Sequence, residues 1–125
     1  MRKLLKITAA LLLTSLMFIS CTSVPIHNVK TKIDSPKSSS ATYRAIRSAG
    51  KSLGWKINQI RPGVAQGKLY LRKHIAVIRI NYSKYSYSIK YVKSTNLKYN
   101  ATEKTIHKNY NGWIQNLDNA INSRL

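Results

Sequence analysis

The sequence predicts an α+β domain: a two-layer fold in which a four-stranded antiparallel meander carries an N-terminal and a C-terminal helix on one face. Three observations predict it. Thr42, Ala45, Ile46, Ala49 and Leu53 recur at spacings of three and four, the period drops to two between Trp55 and Lys93, and the helical spacing returns from Ile106 to Ile121. Pro62-Gly63 and Ser83-Lys84 punctuate the alternating stretch, and connections that short favour antiparallel neighbours.

Ahead of the domain, residues 1–20 have the order of a cleavable signal. Arg2, Lys3 and Lys6 form a basic start, an apolar run extends from Ile7 to Ile19, and Ser20 is the small residue before the cut. The run is short for a membrane span, which needs about 20 apolar residues. The chain's single cysteine, Cys21, follows at once. Phe18-Ile19-Ser20-Cys21 matches a lipobox, with Phe18 where Leu is usual, and predicts Cys21 as the first mature residue, its thiol joined to diacylglycerol as a thioether and its new amino group acylated with a palmitate-like chain. Acyl chains at about 0.8 kcal/mol per buried methylene hold a protein durably on a bilayer. The stretch resembles the start of Gram-negative lipoproteins, and by that resemblance Thr22 rather than Asp next to the cysteine implies the cell envelope, on the periplasmic face of the outer membrane, as the expected location.

Residues 21–39 are expected to be the lipidated cysteine and a flexible tether, since Pro25, Pro36 and the serines from Ser35 to Ser40 show little apolar periodicity. A tether of about 18 residues reaches about 20–25 Å. The domain then occupies residues 40–125. Its first helix is expected to be capped at Ser39 or Ser40 and to end at Gly54 in a left-handed turn. Strands follow at 55–61, 64–72, 75–82 and 85–93. The third, Ile75-Ala76-Val77-Ile78-Arg79-Ile80, is apolar on both faces and therefore central. A loop at 94–104 leads into a second helix at 106–122, with Ile106, Tyr110, Trp113, Ile114, Leu117 and Ile121 as its buried stripe.

The charge is lopsided: 22 Lys and Arg against Asp34, Glu103 and Asp118 give a formal +19. Losing Arg2, Lys3 and Lys6 with the leader lowers this to +16. Such a surface favours anionic partners. Export directs the expectation away from nucleic acid and toward anionic envelope polymer, lipid headgroups or an acidic partner protein.

The stretches Leu71-Arg72-Lys73-His74, Tyr87-Ser88-Ile89, Ser94-Thr95-Asn96-Leu97-Lys98-Tyr99 and Ile106-His107-Lys108-Asn109-Tyr110-Asn111-Gly112-Trp113, with Gly54-Trp55 and Pro62-Gly63, resemble a family of small Gram-negative predicted lipoproteins of no assigned biochemical function. The resemblance spans most of residues 40–121. Gly112 departs from it, a basic residue being usual before the Trp. It implies an envelope lipoprotein with a single domain, and supplies no activity.

Catalysis and metal binding are poorly furnished. Three scattered acids do not make a carboxylate pair, and no nucleophile-elbow sequence accompanies the serines. His27, His74 and His107 lie far apart in the chain, and Cys21 is committed to lipid, so neither a metal nor a cofactor is expected. The better candidate is a Tyr/Lys surface, with Tyr85, Tyr87, Tyr91 and Lys93 on one strand face and Tyr99 near it, suited to stacking on sugar rings beside anionic groups. That stripe either lies open or packs beneath the helices. In the second case the opposite face, with Ser86, Ser88, Lys90, Lys68 and Arg79, is an open basic sheet surface. A polar group of Arg72, His74, Ser94, Asn96, His107 and Asn111 is a second candidate for an anion near the start of the last helix, or a set of turn and capping residues. Together these read as a non-catalytic, lipid-anchored binding protein. The alternatives are an accessory subunit of an outer-membrane assembly and a small envelope hydrolase.

Cys21→Ser is expected to leave the chain unacylated and to release it from the membrane fraction. The mass of the processed chain and its distribution on fractionation check this.

Overall fold

The computed structural model describes residues 22–125. The predicted leader and Cys21 lie outside the described residues. In chain order the elements are β1 (Ser23–Pro25), β2 (Val29–Lys32), α1 (Ser39–Ser52), β3 (Trp55–Arg61), β4 (Val64–Leu71), β5 (His74–Tyr82), β6 (Ser86–Thr95), β7 (Thr105–His107) and α2 (Lys108–Asn122). The strands form a five-stranded antiparallel sheet in the order β2-β6-β5-β4-β3, and a two-stranded sheet of β1 and β7.

The meander β3 to β6 stands where the alternation predicts it. The predicted tether does not. Between residues 22 and 38 the chain contributes both β1 and β2, so the main sheet has five strands rather than four. β2 pairs Val29 with Ile89 and Thr31 with Tyr87, which sends Val29 inward and Lys30 and Lys32 outward. Val29 and Ile33 are buried. β1 accommodates Pro25 because an edge strand does not require an N–H on its free side.

Element ends follow local hydrogen bonding. Ser38, extended at φ −153°, caps α1, its side-chain oxygen accepting from the Ala41 amide at 3.0 Å. That is one residue ahead of the expected caps, and Ser39 is already helical. Gly54 takes φ +86° just beyond the helix, as the spacing predicts, and Leu53 and Gly54 donate their amides to Gly50 and Lys51. The second helix begins two residues later than predicted, because Thr105–His107 pairs with Ser23–Pro25 as a strand and His107 becomes the cap.

Register assigns the faces. Trp55, Leu69 and Ala76 lie in one cross-strand row; Ile57, Gly67, Ile78 and Tyr91 form the next, and Ala65, Ile80, Ile89 and Val29 the third. Both helices pack on this face. Tyr43 of α1 stacks on Tyr82 at 5.6 Å, Gly50 sits against Trp55 and Ile57, and Asp118 of α2 meets Tyr87. Ile46, Ala49, Tyr110, Ile114, Leu117 and Ile121 complete the core. Burying an aliphatic side chain of this size contributes about 1.5–3 kcal/mol, which makes the shared face the main source of stability.

Two helical glycines have opposite surroundings. A Cβ on Gly50 would lie 2.4 Å from Ile57 Cγ1, whereas one on Gly112 meets nothing within 4 Å. Gly112→Ala is therefore expected to stabilise the fold by up to about 1 kcal/mol through helix propensity. Gly50→Ala is expected to lose about 1–3 kcal/mol to overpacking despite the same propensity gain. Denaturant midpoints of the two variants check the difference in sign.

Candidate functional site

The uncovered face of the five-stranded sheet is built by the other half of each alternation. Lys56, Lys68, Val77 and Lys93 line up across β3, β4, β5 and β6, followed by Asn58, Gln66, Arg79 and Lys90. At the β2 edge, Lys30 pairs with Ser88 and Lys32 with Ser86. None of the three acids belongs to these rows: Asp34 follows β2, Glu103 lies in the 100–104 turn, and Asp118 is beneath the sheet. Val77 is only 3% exposed although it belongs to this face, where its register partners are Lys68 and Lys93. A depression of about 280 Å³ lies there, lined by Lys68, Tyr70, Ile75, Val77, Lys93, Ser94 and Thr95. Tyr70 is exposed, with Lys56 Nζ over its ring at 5.7 Å from the centroid. Chemically this is a cationic plane with an aromatic shelf and no carboxylate, suited to an extended anionic ligand with flat apolar patches.

The predicted tyrosine stripe divides. Tyr87 is buried beneath α2, where its hydroxyl donates to Asp118 Oδ1 at 2.6 Å; Thr31 Oγ1 donates to the same oxygen at 3.0 Å. Tyr91 is partly buried. Its ring meets Tyr110 edge-on at 5.6 Å and Tyr99 at 4.4 Å, and its hydroxyl is 2.8 Å from Ser94 Oγ. Tyr85 sits in the hairpin turn, 58% exposed, with Lys84 Nζ 4.9 Å from its ring centroid. The expected sharing of a face by Tyr91 and Lys93 is corrected by a β-bulge. Val77 pairs with Lys93 but Ile78 pairs with Tyr91, so Val92 is the extra residue and Lys93 turns to the open side.

The predicted polar group does not converge on one site: His74 and Asn96 meet, Ser94, His107 and Asn111 are bonded elsewhere, and Arg72 is a turn residue. Arg72 occupies the β4–β5 turn at φ +56°. His74 Nδ1 is 2.8 Å from the Asn96 carbonyl, and Asn96, at φ +59°, donates its amide to the Lys73 carbonyl. His107 Nδ1 accepts from the Asn109 amide, which caps α2. Asn111 donates to the Pro25 carbonyl and accepts from the His27 amide, clamping β1. Ser94 is engaged by Tyr91.

Sequence reasoning missed a second recess, about 390 Å³, where β6 runs on past the end of β2. Pro25, Ile26, Asn28, Lys90, Tyr91, Tyr99, Glu103 and Lys104 line it. Its wall exists only because residues 22–28 are folded against β7. The alternation of Val29, Thr31 and Ile33 with Lys30 and Lys32 was the available signal. Among the described residues no group of three His, Cys, Asp or Glu is placed to hold a metal, and no helix is long and apolar enough to cross a membrane. No protein-family model, curated protein or solved structure matches the chain.

Three tyrosines titrate above their ordinary range. Burial is the main cause for Tyr87, aided by the Asp118 hydrogen bond; burial also leads for Tyr110, then Tyr91 beside it, and for Tyr91 itself. An unfolded tyrosine ionises near pH 10.0, so in the folded chain these groups keep their protons where the unfolded chain loses them. The stability they contribute is complete below pH 10 and declines as pH rises through the folded values. Tyr110 Oη is buried with no hydrogen-bond partner in the protein. Tyr110→Phe is expected to raise stability at neutral pH by about 1 kcal/mol and to flatten the alkaline decline, whereas Tyr87→Phe, which leaves Thr31 as the one hydroxyl donor to Asp118 Oδ1, is expected to lower it by about 1–3 kcal/mol. Urea titrations at pH 7 and pH 11 check both.

Proposed function

We propose that this chain is a non-catalytic, lipid-anchored protein of the cell envelope whose open sheet face binds an anionic envelope polymer. The observation that carries the reading is the charge of that face: Lys56, Lys68 and Lys93 in one row, Arg79 and Lys90 in the next, Lys30 and Lys32 at the edge, and no carboxylate among them. The leader order of residues 1–20 and the lipobox at Cys21 support an envelope location. Repeated negative charges along a polymer satisfy several rows at once, while Tyr70 offers a flat surface to a sugar ring. The ligating groups are spread over a plane rather than gathered in an enclosed cleft, which suits binding rather than bond cleavage.

The test is cosedimentation of the full-length, processed protein with isolated cell-wall polymer and, separately, with lipopolysaccharide. Raising salt from about 0.1 M to about 1 M shortens the screening length from about 10 Å to about 3 Å and is expected to abolish binding. The triple reversal Lys56→Glu, Lys68→Glu, Lys93→Glu is expected to weaken it at least tenfold, whereas reversing Arg47 and Lys51 on α1 has a smaller effect. Salt-insensitive retention through one copurifying protein overturns the polymer reading and favours the accessory-subunit alternative.

A further inference from the structure

The domain has no slack between its fold and the predicted anchor. Only Thr22 separates Cys21 from Ser23, the first residue of β1, and Ser23 is paired with His107. The Thr22 carbonyl itself accepts the Lys108 amide at 3.0 Å. Two residues span at most about 7 Å, so the end of the domain that holds Thr22 lies within that distance of the acyl-bearing sulfur.

Hydrogen bonds trace which residues share that end. From Thr22 they pass to Lys108, and the neighbouring His107 amide donates to the Leu97 carbonyl. Asn96, next in the chain, accepts at its carbonyl from His74 Nδ1–H and reaches the Lys73 carbonyl with its side-chain amide. Lys73 and Arg72 form the turn between β4 and β5. One continuous surface therefore holds Arg72, Lys73, Lys98 and Lys108. Leu71 flanks the turn at 43% exposed, and Leu53, beside Gly54 and Leu69, is 40% exposed. Glu103, the nearest acid in sequence, belongs to the recess beside Lys90 instead.

Resting on the lipid-anchored reading above, we infer that this end of the domain is seated on the bilayer, its lysines and arginine against the phosphates of anionic phospholipid headgroups and its exposed leucines at the interface. Cations near an anionic membrane are attracted to its headgroups, and an acyl anchor with a basic patch is a recognised pair of signals for stable attachment. The attachment becomes a fixed footing rather than a leash.

The experiment uses the full-length chain expressed with its own leader, purified from membranes and reconstituted into vesicles. One set holds phosphatidylethanolamine with phosphatidylglycerol, the other phosphatidylcholine alone. Amide hydrogen exchange is expected to be about tenfold slower at residues 71–73, 96–98 and 107–109 on the anionic vesicles. The charge reversals Lys73→Glu and Lys108→Glu together, or high salt, are expected to remove the difference. Glu at position 108 lies in the first turn of α2, where the helix dipole favours it, so the variant folds. The intact mass is read on the same sample. A bare thiol at Cys21 removes the reading on which the inference rests. An acylated chain with equal exchange on both vesicles, or with protection that persists in detergent and scales with protein concentration as a self-contact does, overturns the inference alone.

Discussion

At Val77 and Ile78 the sheet takes up one extra residue of β6, and the character of both its faces depends on that bulge. Upstream of it, Tyr87, Ile89 and Tyr91 point to the helices; a regular continuation would send Lys93 after them, into the apolar layer that holds Tyr110 and Leu117. Burying an unpaired ammonium costs several kcal/mol, far beyond what a local break in the ladder costs. Val92 absorbs the phase error at the surface. The core stays apolar, and Lys93 joins Lys56 and Lys68 across the open face. The cationic plane and the clean core are thus two results of one backbone irregularity.

The covered side has its own polar constraint at Asp118. Its Oδ1 gathers hydroxyl donors from Thr31 on β2 and Tyr87 on β6, tying α2 to the edge of the sheet where β2 is added. A carboxylate in this position is satisfied by hydrogen bonds to neutral groups, and charge-assisted bonds of this kind are the stronger ones. Asn111 does the same two turns earlier on the same face of α2, holding Pro25 and His27 of the incoming chain. Between them, α2 fixes both ends of residues 22–33. The segment that composition marks as a linker is therefore part of the fold.

The elements legible in the sequence were those with long, uninterrupted periodicity. The four strands from Trp55 to Thr95 run seven to ten residues each, as alternating stretches or, in β5, as a continuous apolar run, α1 and α2 carry apolar residues at three and four, and Gly54 marks its turn through the left-handed conformation it adopts. β1 and β2 span three and four residues, too few for alternation to stand out beside Pro25 and the serine-rich stretch. Of the candidate site residues, Lys93 was placed on the tyrosine face because a strict period of two carries no record of a bulge; only the partner strand reveals it. His74, Asn96, His107 and Asn111 stood out as polar residues in unusual numbers, yet each is consumed by a turn, a cap or a clamp. Polar side chains at chain reversals satisfy backbone groups first, and sequence spacing does not distinguish that task from ligand binding.

The two surfaces are built on the same five-stranded sheet, which sets their relation to the membrane in the lipid-anchored reading. β6 runs toward the Asn96 and Lys98 end that adjoins Thr22, and β5 runs away from it, so the strands stand up from the footing rather than lie along it. Nine residues of β5 at about 3.3 Å each give a height of about 30 Å, and the cationic rows are stacked up that height on a face that looks sideways. A flexible tether would let the basic face collapse onto the anionic headgroups, where it would be neutralised and lost to any polymer. Pairing β1 to β7 directly after the anchor prevents that collapse. In that reading the cations at the foot would engage the membrane while those on the sheet stay free, at heights above the bilayer set by register rather than by diffusion of a linker.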